Sequence, residues 1–258
     1  MASFARAVSP LLAAAAAMKV FQRRVDVGEM TLLVSALDLS VGRGLIRDRI
    51  WEAASTRVFK SIVHPGDTVV DIGAHLGYFT IIASKAVGED GRVHAFEPDR
   101  RSRALLAKNI ETNRATNVAI LPYAIGDTTT NQVHRLNAAA PLTLFDTVCL
   151  DDYFEPGDTV DVIKMDIDGG EIEALDGMRR LVRTSPHVHL LIEHDPWQQR
   201  VSNRSTEELH HQLASLGFVP LVSIDEASGE IQDVDWATPD LGSKTVNLLL
   251  LKEDDSGR

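Results

Sequence analysis

Five short apolar runs, separated by amphipathic stretches, set the rhythm of this chain: Thr68–Ile72, Arg92–Phe96, Asn117–Ile125, Val160–Met165 and Val188–Ile192. The first is rich in β-branched residues, which suits a strand buried on both faces, and the others read as further strands. The stretches between them carry helical spacing. Tyr78–Ala86, Arg100–Thr112 and Glu171–Val182 each place apolar residues three and four apart and contain no proline. Strands alternating with helices at these intervals predict a parallel sheet with right-handed crossovers.

The flanks read differently. From Val25 to Leu37 apolar and polar positions alternate, which predicts a small β-hairpin turning near Gly28-Glu29. Asp38–Arg49 has mixed character and is expected to cross the surface. Ile50–Val63 shows an apolar stripe and should be helical until His64-Pro65-Gly66-Asp67 stops it. Thr128–Leu144, with its threonines, asparagines and Pro141, has no strong period and is expected as a hairpin or a loop over the site. A helix opens at Ser205 or Thr206. Phe218–Ile224 and Thr245–Lys252 then read as two closing strands, joined by an acidic loop through Gly229, that could bring an antiparallel strand into the sheet.

Chemistry gathers first at Thr68–Thr80, T-V-V-D-I-G-A-H-L-G-Y-F-T. A strand, a turn holding Gly73 and Gly77, and a helix N-terminus with unpaired N–H groups form the usual binding corner of a doubly wound sheet. The spacing is D-x-G-x-x-x-G rather than the G-x-G-x-x-G of a dinucleotide fingerprint. Asp71 beside the turn would repel a pyrophosphate and could accept bonds from an ammonium. A cationic ligand with an amino-acid tail is therefore expected, and S-adenosylmethionine has both features. Without a ligand, the same stretch would be a buried strand and a helix start.

The carboxyl ends of successive strands are also acidic: Asp71, Glu97, Asp127, then Asp166 and Asp168, then Glu193 followed by His194. In an open parallel sheet these ends line one edge, where ligands bind. Unpaired carboxylates are costly in a dry core, so the coincidence points to a polar ligand, a metal or water. Glu97 is placed to accept both hydroxyls of a ribose, and Asp127 to meet an adenine amino group. Their alternatives are a helix-dipole charge and a turn former.

Composition narrows the partners. The chain has 258 residues, enough for a full core in one domain, with 44% hydrophobic and 24% charged residues. Its formal net charge of -11 disfavours nucleic acid or an anionic membrane. The single cysteine, Cys149, excludes an internal disulfide and fits a reducing cytoplasm. Arg6 followed by Val8–Ala17 faintly resembles a secretory leader. Pro10 interrupts it and it is too short to span a bilayer, so an N-terminal helix is expected there. Residues 1–49 are thus assigned as a helix and hairpin serving as a cap or an oligomer contact, such as that of a homodimer, and residues 50–258 as the main domain.

Taken together, V-V-D-I-G-A-H-L-G-Y-F-T, H-A-F-E-P-D, L-P-Y-A-I-G-D, C-L-D-D-Y-F and D-V-I-K-M-D-I-D-G-G-E-I-E-A-L-D-G-M resemble the FkbM-type family of class I S-adenosylmethionine-dependent methyltransferases, from about Trp51-Glu52 to Glu193. The chain departs from the family pattern at Asp168, where glutamate is common, and at His75, where asparagine is frequent. The resemblance implies a Rossmann-like α/β fold: a seven-stranded, mostly parallel sheet with helices on both faces and an antiparallel C-terminal hairpin. It implies methyl transfer, usually to a hydroxyl of a sugar, polyketide or other secondary metabolite. By position, Asp71, Gly73, His75 and Gly77 would surround the methionine part of the cofactor, Glu97 with Pro98 the ribose, and Ala124 to Asp127 the adenine.

An alcohol must lose its proton as it is methylated, so a base is expected. Asp166 is the first candidate and His194 the second, its imidazole being suited to neutral pH. Asp166, Asp168, Glu193 and His194 could instead hold Mg²⁺, although a metal-free site is the first reading. The alternatives are methylation of nitrogen on a small molecule or of RNA, and a binding module that retains the cofactor site without turnover.

Overall fold

The computed structural model describes residues 21–134, 143–234 and 244–253. The expected N-terminal helix, the tip of the Thr128–Leu144 stretch and part of the acidic loop after Gly229 lie outside those residues. Elements follow the chain as β1 (Gln22–Val27), β2 (Met30–Ser35), α1 (Val41–Asp48), α2 (Ala53–Ile62), β3 (Thr68–Ile72), α3 (Tyr78–Val87), β4 (Arg92–Phe96), α4 (Arg100–Asn113) and β5 (Val118–Leu121). Then come β6 (Ala124–Ile125), β7 (Thr130–His134), β8 (Thr143–Val148), α5 (Leu150–Tyr153), β9 (Val162–Met165), α6 (Glu171–Asp176) and α7 (Arg179–Thr184). The chain continues with β10 (His187–His194), α8 (Pro196–Val201), α9 (Thr206–Ser215), β11 (Val219–Asp225), β12 (Glu230–Asp233) and β13 (Val246–Glu253).

The main sheet has the order β12-β11-β13-β10-β9-β3-β4-β5. Strands β5, β4, β3, β9 and β10 are parallel, while β13 is inserted antiparallel to both β10 and β11. This is the Rossmann-like sheet expected, with eight strands instead of seven. The extra one, β12, is an exposed edge strand folded back on β11 from the acidic loop, and its polar sequence hid it.

Period-two alternation divides the sheet into two buried faces. Val69, Val93, Val162 and Leu191 pack toward α2, α3 and the β1–β2 hairpin, whereas Val70, Ile72, Ile163, Met165 and Ile192 pack toward α6, α7 and α9. The hairpin, turning at Gly28-Glu29, therefore belongs to the core of the main domain, with Val25, Leu32 and Val34 buried against Leu76 and Phe79.

Three local expectations are corrected. Asp38–Arg49 does not simply cross the surface; it forms α1, whose start is held by Asp38 accepting from the Ser40 and Gly42 amides. The expected strand Asn117–Ile125 breaks at Pro122, which has no N–H for the ladder, and Ala124-Ile125 leaves to pair with β8 in a separate three-stranded sheet. The helix expected over Glu171–Val182 is two helices, interrupted where the Gly126 carbonyl packs against Gly177. Ser205 is confirmed as an N-cap, in a reciprocal capping box with Glu208. No described helix is long and apolar enough to cross a membrane.

Candidate functional site

The parallel strands finish in register, with Ile72 beside both Phe96 and Met165, and Met165 beside Ile192. Sheet order reverses at β3, whose neighbours are β4 and β9, so a crevice must open beyond its carboxyl end. A cleft of about 910 Å³ lies there, lined by Gly73, His75, Glu97, Pro98, Ala124, Asp127, Asp166, Asp168 and Glu193. Phe145 and Thr147 of β8 also line it, so the Thr128–Leu144 stretch leads into a hairpin that walls the site.

Glu97 is the best-defined acceptor in the cleft. Its Oε2 accepts the His75 N–H and its Oε1 the Asp99 N–H, both at 2.7 Å. Those bonds fix the carboxylate, and each oxygen retains a lone pair for a ligand hydroxyl. Burial pushes its pKa up to about 7 despite these two bonds. Pro98, Tyr123 and Ile125 add apolar surface beside it. A buried, oriented carboxylate next to an apolar slot fits a nucleoside.

The glycine turn is shaped by packing within the chain. A Cβ on Gly73 (φ 84°) would lie 2.0 Å from the Asp166 carbonyl oxygen, and one on Gly77 (φ 92°) 2.5 Å from Leu106 Cδ1. Gly73 lines the cleft; Gly77 does not, serving instead to seat α3 against α4. Packing within the chain is therefore sufficient to require glycine at both positions, and Gly73 alone of the two also borders the cleft.

Asp71 also departs from expectation. It is 1% exposed and lies outside the cleft lining, so it is not placed to accept a bond from a ligand ammonium. Strand register sets it directly beside Lys164, and Thr80 Oγ1 donates to its Oδ2 at 2.5 Å. Lys164 in turn donates to Asp166 Oδ2 at 3.1 Å and sits 4.7 Å from the Phe79 ring centroid. Burial alone would lower the Lys164 pKa, but Asp166, Glu52 and Asp71 outweigh it and hold the ammonium charged. The sharpest acid in the sequence is therefore a buried counter-ion beneath the site.

The second candidate base is excluded by strand parity. Glu193 shares the Lys164 face of the sheet and lines the cleft, whereas His194, one residue on, points to the opposite face. His194 is 1% exposed and stacks on the His210 ring of α9 at 5.2 Å. Burial, with His210 adding to it, lowers its pKa to about 4.

Glu193 entered the sequence reading only as a strand-end acid and possible Mg²⁺ ligand, and Glu52 not at all as a site residue, yet both line the cleft near Asp166. Burial, followed by the charges of Asp166 and Asp168, pushes Glu193 up to about 9. Burial raises Glu52 to about 7, with Lys164 opposing and Asp166 and Glu226 assisting. Asp168 has a left-handed backbone (φ 55°), accepts a bond from Gln198 Nε2, and is raised to about 6, chiefly by burial. Among the described residues no three His, Cys, Asp or Glu side chains are grouped so as to hold a metal ion.

Comparison with known proteins agrees with this geometry. The pattern described as the Methyltransferase FkbM domain matches residues 71–220. A probable cobalt-precorrin-6B C(15)-methyltransferase (decarboxylating) from Sulfurisphaera tokodaii is 37% identical over 62 residues, 24% of this chain and 32% of that protein, so the chain matches about a third of that relative's length. Among solved structures, M. jannaschii TYW2 in complex with AdoMet superposes with a TM-score of 0.52 at 14% identity, covering 90% of this chain and 84% of that one. A SAM-dependent O-methyltransferase from Thermotoga maritima gives 0.51 at 12% identity, covering 92% and 88%. At such identities the likeness is one of fold. The domain match spans more than half of the chain, which belongs to the FkbM family of class I S-adenosylmethionine-dependent methyltransferases.

Proposed function

We propose that the protein transfers a methyl group from S-adenosylmethionine to a hydroxyl of a small molecule such as a sugar or polyketide. The observation that carries this reading is that Glu52, Asp166 and Glu193 line the same cleft as the glycine turn and Glu97. One end can hold a nucleoside, and the other carries acids able to orient a hydroxyl and take its proton.

In this reading Glu97 accepts the ribose hydroxyls, with Pro98 beside them. Ala124 and Asp127 border the adenine, while Gly73 and His75 border the methionine part. The cofactor supplies an electrophilic methyl group beside a positive sulfur. Asp166, held by Lys164, orients the acceptor hydroxyl, and alignment of this kind is worth up to roughly 7–11 kcal/mol. The acceptor is taken to be a small molecule because a chain of net charge -11 repels nucleic acid. The site of action would be the cytoplasm, where this cofactor is made. Residues 1–49 would cap the fold, with any homodimer contact also falling there.

The surplus of carboxylates over cations in the cleft favours a second reading, methylation of an amine that enters as a cation. Incubation with methyl-labelled cofactor and panels of sugars, phenols, aliphatic alcohols and amines separates the two. Label on oxygen is expected; label only on nitrogen would overturn the first reading, and cofactor binding without labelling of any panel would favour a binding module.

A further inference from the structure

Glu52 holds the N-cap position of α2 but does not cap it. Its backbone is left-handed (φ 42°, ψ 69°) and its side chain makes no bond to the first turn. That bond is made by another acid, since the Ser55 and Ala54 amides donate to Glu226 Oε1 and Oε2 at 2.6 and 3.2 Å. Glu226 reaches α2 from the end of β11. With the cap supplied from elsewhere, Glu52 is released from the usual task of a carboxylate at a helix start. It lines the cleft instead, and its Oε2 is buried with no hydrogen-bond partner among the described residues. A residue held in a sparsely populated conformation, with a buried acceptor left open, points to a function outside its own helix.

We propose that Glu52 is the base that takes the acceptor's proton. This rests on the methyl-transfer reading above. The acceptor O–H bond breaks and its proton passes to the Glu52 carboxylate. The freed electron pair of the oxygen forms the bond to the methyl carbon, and the pair of the broken carbon–sulfur bond stays on sulfur. The neighbours are arranged for this division of labour. Asp166 is already engaged by Lys164, and Glu193 holds its proton at neutral pH and is therefore a donor. The charged and titratable groups facing Glu52 are Lys164 from β9, Asp166 just beyond its end, Glu193 from β10, Tyr78 from α3, and Glu226. Burial, opposed by Lys164 and by a side-chain bond from Trp51 and assisted by Asp166 and Glu226, leaves Glu52 titrating near 7, where a base is most effective at neutral pH.

The test is the Glu52→Gln variant, which keeps the shape of the side chain. Turnover should fall about 100-fold or more, while the dissociation constant for S-adenosylmethionine by calorimetry changes less than about twofold and α2 stays folded, because Glu226 still caps it. The wild-type rate should rise with pH through about 7, and the variant should lose that limb. A rate within about threefold of wild type, a surviving limb, or a parallel loss of cofactor affinity would overturn the proposal. Labelling on amines alone would sink the hydroxyl reading, and Glu52 would then be judged by the same variant on the amine. Infrared titration of the cofactor-bound protein needs no acceptor. A carboxyl band titrating near 7 should vanish in Glu52→Gln, and an unchanged spectrum would overturn the assignment.

Discussion

Thr80 and Asp71 are joined by a 2.5 Å hydrogen bond in the buried layer under the cleft, with Lys164 as the register neighbour of Asp71 in the next strand. The carboxylate that begins the glycine-turn motif thus serves the fold. Asp71→Ala would strip a buried ammonium of one of its three compensating acids and leave Thr80 without its acceptor. Removing one partner of a buried charged group costs about 3–5 kcal/mol. Urea unfolding should show a loss of that order, with cofactor affinity of the folded protein changed less than about fivefold. A stability within about 1 kcal/mol of wild type, together with lost affinity, would restore Asp71 to the ligand.

Buried acids also set the pH dependence of stability. Burial is the leading cause that raises Glu52, Glu97 and Glu171 to about 7 and Asp168 to about 6. An acid whose folded pKa lies above its unfolded value keeps its proton in the native state after the unfolded chain has released it. Folding then weakens as pH rises from about 4 toward 7. One unit is worth about 1.4 kcal/mol, so each of these groups outweighs a typical surface ion pair. Lys164 does not oppose the trend, because its contribution is complete below 10.5. Denaturant unfolding of the ligand-free protein should give a smaller free energy at pH 8 than at pH 6. A flat or rising profile would refute the assignment.

The opposite sign holds for His194. Its folded pKa of about 4 lies below the ordinary 6.5, so between these values the unfolded chain binds the extra proton and stability is lost as pH falls. The shift corresponds to about 3 kcal/mol at its limit. His194→Phe keeps a ring against His210 and removes the titration. Because His194 opposes the gain that the buried acids give as pH falls from 6.5 to 4, we expect the variant to show a steeper gain than wild type in that window and to leave methyl transfer within about twofold. A turnover loss above tenfold would return His194 to the chemistry.

What the sequence concealed was mostly a matter of parity and distance. Apolar runs located β3, β4, β9 and β10, and the acids after them located the cleft edge, because both follow from local spacing. Whether Asp71 faces ligand or core depends on its neighbour across the sheet, Lys164, 93 positions along the chain and visible only in the register. With the strand ended at Ile192, the sequence offered His194 and not Glu193 as a base. The strand runs on to His194, and alternation sends the two residues to opposite faces. Glu52 fell inside the helix expected over Ile50–Val63, and nothing nearby in sequence reveals that Glu226 caps that helix in its place. β12 was hidden for another reason: all four of its residues are exposed, so it lacks the apolar pattern by which strands are recognised.

Helix α4 offers the last test, through two asparagines one turn apart. Asn109 Oδ1 accepts the Leu33 N–H at 2.6 Å, and its Nδ2 donates to the carbonyls of Leu33 and Leu76 at 3.1 and 2.8 Å. Asn113 repeats the pairing on Thr31, accepting its N–H and donating to its carbonyl. The two amides thus bind the free edge of β2 as a neighbouring strand would, and Asn109 also ties the hairpin to the glycine turn through Leu76. Asn109 is fully buried, so Asn109→Leu would leave the N–H and C=O of Leu33 without partners, at about 1–3 kcal/mol for each unsatisfied group. Because the loss is confined to one edge, amide exchange should accelerate across Gln22–Ser35 before the main sheet opens. If Asn109→Leu instead left the hairpin protected and lowered only global stability, the asparagine pair would be core filling and not the latch that joins β2 to the turn.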